Sequence, residues 1–260
     1  MSHRILFGEG PTMRMSCRML ALLWLLASGH VVVAAELHVA VGLAKPPYVE
    51  EGGQGGMEVE IARAALQQAG FKPVFEVYPQ ARGLMLLQSG RIDAMLTLAP
   101  DSPVDAFRSA PVLYYRNRAI VLKSSGIRLE GIADLARYSV AGFQNARLLL
   151  GPEFTAVMAR HPRYVELADQ QIQNRLLYLH RVEVVVGDSL VFHQNNRALG
   201  KRLDTSAELA EFDLFPPSPR SVGFLRQEQR DAFDRALKTL QRSGEVARIV
   251  ARYRAAYGFD

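Results

Sequence analysis

The chain has almost no cysteine and almost no tryptophan. Cys17 and Trp24 are the only residues of their types among 260, and both precede residue 36. A disulfide-stapled mini-protein is excluded, since such scaffolds need several cysteines. Beyond residue 35, thiolate chemistry and a Cys-ligated zinc are excluded too. A disordered or collagen-like chain does not fit either, because 49% of the residues are hydrophobic and 20 Gly and 13 Pro are ordinary numbers.

No charge of one sign dominates the chain. It carries 31 basic and 26 acidic residues, a formal net charge of +5, and without residues 1–35 the balance is 28 to 25, or +3. The basic residues recur along predicted helix faces with acids nearby. This pattern indicates solvated faces, and we expect no nucleic-acid partner.

The first 35 residues have the order typical of a secretory signal peptide. Three arginines precede an apolar run over residues 19–27, and small residues close the segment at Ala35. Ser28-Gly29-His30 interrupts the run well short of the roughly 20 apolar residues that a membrane span needs. We therefore predict cleavage after Ala35 and a soluble periplasmic product. The lone cysteine precedes the apolar run, so no lipid anchor is expected.

The remaining chain alternates strand-like apolar runs with amphipathic helices. Strands are predicted over 37–43, 74–78, 92–98, 138–142, 164–167 and 182–186, and helices over 57–68, 81–88, 146–161, 170–179, 228–241 and 245–253. Such alternation is typical of βαβ units with a mostly parallel sheet. An extended stretch over 111–123 separates two similar sets. It predicts two α/β lobes with a ligand cleft between them.

No motif predicts catalysis, a metal or a cofactor. The sequence contains no GxSxG, HExxH, Walker-type loop or GxGxxG. The glycine-rich run over 52–56 lacks the Lys-Ser/Thr ending of a phosphate loop and is expected to form a turn. The histidines beyond residue 35 show no spacing of metal ligands. We expect neither a metal nor a cofactor.

The order of several short segments resembles a known family. They are the strand over 37–43, Lys-Pro-Pro-Tyr over 45–48, the stretch 56–62, and Leu-Leu-Gln-Ser-Gly-Arg-Ile-Asp-Ala over 86–94. Together they resemble the extracytoplasmic solute-binding proteins of family 3, amino-acid-binding components of ABC importers with a two-lobed type II periplasmic binding fold. The resemblance implies a first lobe over 36–117, a second over 118–215, and a return to the first over 216–260.

The resemblance also implies ligand contacts, taken residue by residue. Tyr48 matches an aromatic that stacks on or caps the ligand, with a surface loop tyrosine as the alternative. Thr97 falls at a strand end that presents hydroxyl and backbone groups to the ligand, with an ordinary strand-end threonine as the alternative. Gln144 and Asn145 occupy a strand-to-helix turn, where they cap the helix, contact the ligand, or both. Asp188 matches the acid that pairs with a ligand ammonium, with a role in a loop turn as the alternative.

One position departs from the family pattern. The arginine that forks onto a ligand carboxylate falls, on ungapped counting, at Asp105. Arg108 is a substitute if the alignment slips by three residues, and Arg82 and Arg116 are others. If none serves, Asp105 and Asp188 in one cleft favour a cationic or amine ligand.

These features predict a monomeric, non-enzymatic binding protein that delivers an amino acid or amine-like solute to an inner-membrane ABC permease. Two alternatives use the same fold. One is an enzyme resembling cyclohexadienyl dehydratases, with Glu166, Asp188 or Glu183 as the acid. The other is a ligand-sensing partner of a membrane receptor.

Overall fold

A computed structural model describes Met1, His3 and residues 34–200 and 202–257. Almost all of the predicted signal peptide lies outside these residues. The chain from Ala35 onward forms a compact unit, and Ala35 begins its first strand. None of the helices among the described residues is long and apolar enough to span a membrane.

The first sheet is built from both ends of this unit. Its strands are β1 (Ala35–Val41), β2 (Phe71–Val77), β3 (Ala94–Leu98), β4 (Phe107–Arg108), β5 (Leu113–Tyr115) and β11 (Ser218–Phe224). The order is β2-β1-β3-β11-β4, and β5 also pairs with β11. β1 runs parallel to β2 and β3, whereas β11 is antiparallel to β3. The late strand β11 therefore ties the end of the chain to its beginning.

The second sheet is built from the middle of the chain. Its strands are β6 (Asn117–Leu122), β7 (Val140–Phe143), β8 (Tyr164–Leu167), β9 (Val184–Asp188) and β10 (Leu209–Phe212), in the order β10-β6-β9-β7-β8. β7 is parallel to β8 and β9, and β6 is antiparallel to β9 and β10. Two sheets confirm the expected two-lobed α/β fold.

Helices cover the faces of both sheets. The first sheet carries α1 (Met57–Gln68), α2 (Gln80–Gln88), α7 (Gln227–Arg242) and α8 (Glu245–Ala256), and the second carries α3 (Ala146–Leu149), α4 (Pro152–Met158), α5 (Gln170–Tyr178) and α6 (Ser189–Leu199). Apolar residues of α1 and α7 pack on β1, β3 and β11 in one core. Separate cores lie on the two faces of the second sheet. Strands buried on both faces explain the continuous apolar runs in the sequence.

Two segments cross between the sheets, at Arg116 and at residues 213–217. They lie side by side, because Tyr115 pairs with Ser218 across β5 and β11. Arg118 also bonds Asp213 across the crossings, at 2.8 Å from Nε to Oδ1. The exact bounds of the lobes stay the predictions made from the sequence, which are 36–117, 118–215 and 216–260.

Several predicted bounds shift by a few residues, and two of the differences change the description of the fold or the site. The helix expected over 146–161 is two short helices, because Gly151 has φ 93° and Pro152 then starts a new helix. The strand expected over 182–186 is Val184–Asp188, so the carboxylate of Asp188 belongs to the strand's last residue. This shift matters for the site.

Candidate functional site

Polar and charged side chains converge where the first sheet meets the crossing segments. We call them the buried polar cluster, and its members are Lys45, Tyr48, Glu58, Thr97, Tyr115, Asp188 and Arg220. Three of them, Glu58, Asp188 and Arg220, are only 1%, 5% and 7% exposed. Burying charged groups is costly unless they are paired and hydrogen-bonded, so the partners of each decide what the cluster can do.

Asp188 is held by three donors. It ends β9 and caps α6, where Oδ1 accepts the amide of Val191 at 3.1 Å. Oδ2 accepts the amide of Arg116 at 2.8 Å and the hydroxyl of Tyr48 at 3.0 Å. Burial raises the pKa of Asp188, and these hydrogen bonds and the charge of Lys45 oppose that rise. Both carboxylate oxygens are thus engaged within the protein.

Glu58 is the second buried acid. It lies in the first turn of α1, and its Oε2 accepts the hydroxyls of Thr97 at 2.9 Å and Tyr115 at 3.2 Å. Burial raises the pKa of Glu58, while the positive charge of Lys45 lowers it. Its place at a helix N-terminus also favours negative charge.

Thr97, which donates to Glu58, lies where β3 is distorted. Between the pairs Ser221–Leu98 and Gly223–Met95 the register of β11 against β3 shifts, which marks a β-bulge. Thr97 has φ 63°, a conformation that is rare for a β-branched residue. Such strain is found preferentially at functional sites.

Tyr115 forms the aromatic centre of the cluster. Tyr48 stacks on it with 4.2 Å between ring centroids. Lys45 Nζ lies 4.6 Å and the Arg220 guanidinium carbon 4.5 Å from the centroid of the same ring, so both form cation–π contacts. Burial lowers the pKa of Lys45, and Glu58 counters that shift. Two cations therefore balance the two carboxylates.

Two cavities flank the crossing segments. One of about 1300 Å³ is lined by Tyr48, Arg116, Arg118 and Glu211 among others. The other, about 450 Å³, is lined on one side by Asn117, Ser218 and Pro219 and on the other by residues 148–152. The smaller volume suits a metabolite-sized ligand.

Three of the predicted site residues, Tyr48, Thr97 and Asp188, meet in the buried polar cluster. Asp105 and Arg108 do not join them. Asp105 is exposed, and Arg108 donates from Nη1 to the carbonyl of Ala99 at 2.8 Å and from Nη2 to that of Ser102 at 2.6 Å. Arg108 thus holds together the loop after β3.

Gln144 and Asn145 lie apart, exposed at the turn from β7 to α3. The amides of Asn145 and Arg147 donate to the Glu166 carboxylate at 2.9 and 2.8 Å, and the Tyr164 hydroxyl donates to it as well. The Glu166 carboxylate thus pairs with the backbone amides of this turn. Asn145 has φ 65°, and its side chain makes no cap hydrogen bond to α3.

Sequence reasoning missed Lys45, Glu58, Tyr115 and Arg220. Lys45 and Glu58 lie in the stretches 45–48 and 56–62, on which the resemblance rests. A charged residue among mostly apolar neighbours in these stretches was a signal that could have identified both. Arg220 comes from β11, far from the rest in sequence, and no local pattern announced its contact with Tyr115.

Comparison with known families decides the assignment. Residues 37–256 match the bacterial extracellular solute-binding proteins, family 3. The chain belongs to this family. No curated protein matches the chain.

Solved structures share the fold of this family 3 protein at low identity. A histidine kinase sensor domain with similarity to periplasmic binding proteins has a TM-score of 0.68 at 18% identity, covering 85% of this chain and 96% of its own. The Streptococcus pneumoniae protein AbpA, an amino acid ABC transporter substrate-binding protein bound to L-arginine, has 0.63 at 20%, covering 86% and 96%. EhuB in complex with hydroxyectoine has 0.64 at 23%, covering 87% and 89%. At these identities they establish the fold of type II periplasmic binding proteins.

Within the described residues, no group of three or more His, Cys, Asp or Glu side chains could hold a metal ion.

Proposed function

We propose that this family 3 protein is an exported periplasmic receptor that captures a small polar solute, an amino acid or amine-like compound, for an ABC importer. Family membership over residues 37–256 carries the proposal. The buried polar cluster supports it, because family members bind small polar ligands and the cluster offers charged and aromatic groups at the junction of the two sheets.

Capture would proceed by hinge closure of the lobes. Within residues 34–257, apart from the undescribed residue 201, two crossing segments join the sheets covalently, and they run next to each other at Tyr115 and Ser218. A few such residues can absorb the rotation that buries a ligand. Asp188 lies at this point, since Asn117 pairs with it across β6 and β9.

A thermal-shift screen tests the capture role. The purified protein, residues 36–260, is heated with amino acids, amines and small organic acids. A ligand at 100 times its Kd stabilises the folded state by about 2.7 kcal/mol, or roughly 5–11 °C for a chain of this size. Mass spectrometry of molecules released on denaturation identifies a ligand that co-purifies. A screen without any shift and a protein that releases nothing would contradict the proposal.

The proposed partner is an inner-membrane ABC permease, engaged by a monomer. Similarity to a histidine kinase sensor domain supports a second candidate, a ligand-sensing role with a membrane receptor. Affinity capture from solubilised membranes distinguishes the two. Recovery of permease subunits supports delivery, and recovery of a receptor ectodomain instead supports sensing.

We propose no catalytic role. Asp188 and Glu166 already accept several hydrogen bonds each, and Glu183 accepts from the amide of Ser139 at 2.7 Å and from Arg163 at 3.0 Å. Hydrogen-bond donors that stabilise the ionised form oppose protonation of a carboxylate, and the carboxylate of Asp188 is committed to capping α6 and to the Tyr48 hydroxyl. Incubation with prephenate and arogenate tests this point, and turnover of either would reverse it.

A further inference from the structure

The larger of the two cavities lies away from the cleft that family membership implies. Arg116 and Arg118 line this cavity of about 1300 Å³, whereas Asn117 between them lines the smaller one. Successive side chains of an extended segment point to opposite faces, so the cavities lie on opposite sides of the crossing segment. The smaller cavity is also lined by residues 100–101 after β3 and 148–152 after β7, where the cleft is expected. The larger cavity therefore lies on the reverse side.

Positive charge dominates the larger cavity. Glu211 is the one carboxylate among the described residues that line it, beside four arginines and a histidine, namely Arg116, Arg118, Arg197, Arg254 and His193. Glu211 is already engaged, because Arg118 Nη1 lies 3.1 Å from its Oε2 and His193 Nε2 lies 2.5 Å from its Oε1. Arg118 is paired with Asp213 as well, at 2.8 Å. The internal acid thus leaves the other arginines without a counter-charge from the cavity wall.

Two of these arginines present open donors to the cavity. Arg116 lies between β5 and β6, Arg197 lies in the last turn of α6, and both side chains are exposed. Within the part of the chain that the structure describes, no hydrogen bond or ion pair engages either guanidinium group. A guanidinium offers five N–H donors and no acceptor, in a fork that matches the oxygens of a phosphate or carboxylate. A group that pairs with both arginines is therefore an anion.

Much of the remaining lining is apolar. Its apolar residues come from separate elements around the cavity and include Leu113 of β5, Leu190 of α6, Leu209 of β10 and Val250 of α8. The volume exceeds the roughly 300–1000 Å³ of ordinary small-molecule pockets, so there is room for an apolar body beside the charged group. A molecule that uses both kinds of wall has an anionic end and an apolar end.

We propose that the larger cavity is a second ligand site, which takes an organic anion with an apolar body, and that Arg116 and Arg197 bind its anionic group. The site is separate from solute capture, because Tyr48 is the one member of the buried polar cluster in the described lining. The walls belong to both lobes, since β5 and α8 accompany the first sheet and α6 and β10 the second. A bound anion thus holds the two lobes in this arrangement and stabilises the folded state.

Three small probes separate the contribution of charge from that of apolar contact. Phenyl phosphate carries both features, benzyl alcohol lacks the charge, and inorganic phosphate lacks the apolar body. The purified protein, residues 36–260, is titrated with each probe by isothermal calorimetry at low salt, where exposed charges are screened least. We expect phenyl phosphate to bind at least about tenfold more tightly than either of the others. No binding of phenyl phosphate, or affinity no higher than that of a partial probe, would overturn the inference and leave solute capture standing.

Arginine variants test the charged part of the site. Arg116→Gln and Arg197→Gln each remove one charge and keep a polar side chain, and each should weaken phenyl phosphate binding by about fivefold or more. Arg175→Gln is the matched control, because Arg175 is an exposed arginine on the neighbouring helix α5 and is absent from the described lining of both cavities. It should bind as wild type does. Wild-type affinity in either cavity variant, or equal weakening in the control, would refute the assignment.

A tryptophan reporter locates the bound probe. Ala207 is an exposed residue of the cavity lining, and the chain beyond residue 35 contains no tryptophan. In Ala207→Trp, phenyl phosphate should change the tryptophan emission, or should no longer bind if the new side chain fills the site. Calorimetry on the same variant distinguishes these two supporting results. Wild-type affinity together with unchanged emission would place the probe elsewhere and overturn the inference.

Discussion

Tyr48→Phe removes one hydroxyl. The resulting loss of stability measures the contribution of the hydrogen bond between Tyr48 and Asp188, which joins the two lobes. The Tyr48 hydroxyl donates to Asp188 Oδ2 at 3.0 Å, and the tyrosine is 2% exposed. Water cannot easily replace the lost donor at such a site. Two donors, the amides of Val191 and Arg116, remain on the carboxylate.

A hydrogen bond to a charged group contributes about 1.5–3 kcal/mol. Tyr48→Phe should lower the free energy of unfolding by that amount, which corresponds to roughly 3–12 °C in Tm at this chain length. Urea unfolding followed by far-UV circular dichroism measures it, since Trp24 is absent after the predicted cleavage. Tyr114→Phe is the control, because Tyr114 is 53% exposed and should change stability by less than about 0.5 kcal/mol.

The pH dependence of this loss tests its cause. Burial raises the folded-state pKa of Asp188 above its unfolded value, so the ionised carboxylate costs stability as pH rises through the folded pKa. Tyr48 offsets more of that cost while Asp188 is ionised, because a charged acceptor forms a stronger hydrogen bond than a neutral carboxyl. The effect of Tyr48→Phe should therefore be full at pH 8 and shrink on acidification. An effect equal to that of Tyr114→Phe, or one that grows on acidification, would refute the reasoning.

Three further predictions concern stability. Gly56→Ala should lower the free energy of unfolding in urea by about 1–3 kcal/mol, because φ is 110° and a Cβ would lie 2.3 Å from a backbone oxygen. Gly131→Ala is the control. It should be nearly neutral, because the space around Gly131 is open. Burial would raise the pKa of Glu211, but hydrogen bonds, led by the one with His193, lower it to about 2. The free energy of unfolding should therefore fall as pH drops from about 4.5 to 2. Glu211→Gln should make that fall less steep. Asp169→Ala removes the N-cap of α5 and should lower stability by about 1 kcal/mol in thermal melting. The control is a substitution by alanine at an exposed position within α5. If that control loses more stability than Asp169→Ala, the capping interpretation is contradicted.

The sequence could predict the elements of the fold because their patterns are local. Continuous apolar runs such as 37–43 and 92–98 marked strands buried on both faces, and the helix at Met57 showed its apolar face at helical spacing. The break at Gly151 was missed, since one glycine with a positive φ divides a pattern that otherwise reads as one helix.

The candidate site was predictable only in part. Tyr48, Thr97 and Asp188 follow from their places at strand ends and in the loop after β1. Arg108 sits close in sequence to where an arginine is expected, yet it bonds the carbonyls of its own loop. Which arginine faces Tyr115 depends on which strand lies beside β3, and that strand is β11.

The sequence by itself determined the α/β class, the two lobes and the family, because periodicity and segment order are properties of neighbouring residues. Only the tertiary structure decided which charged groups meet at the site and how they are paired. Lys45, Glu58, Asp188 and Arg220 come from four separate elements, and only their packing around Tyr115 shows two carboxylates already engaged and two cations at one aromatic ring. Charge balance in a buried cluster depends on distance and burial, which no local pattern encodes.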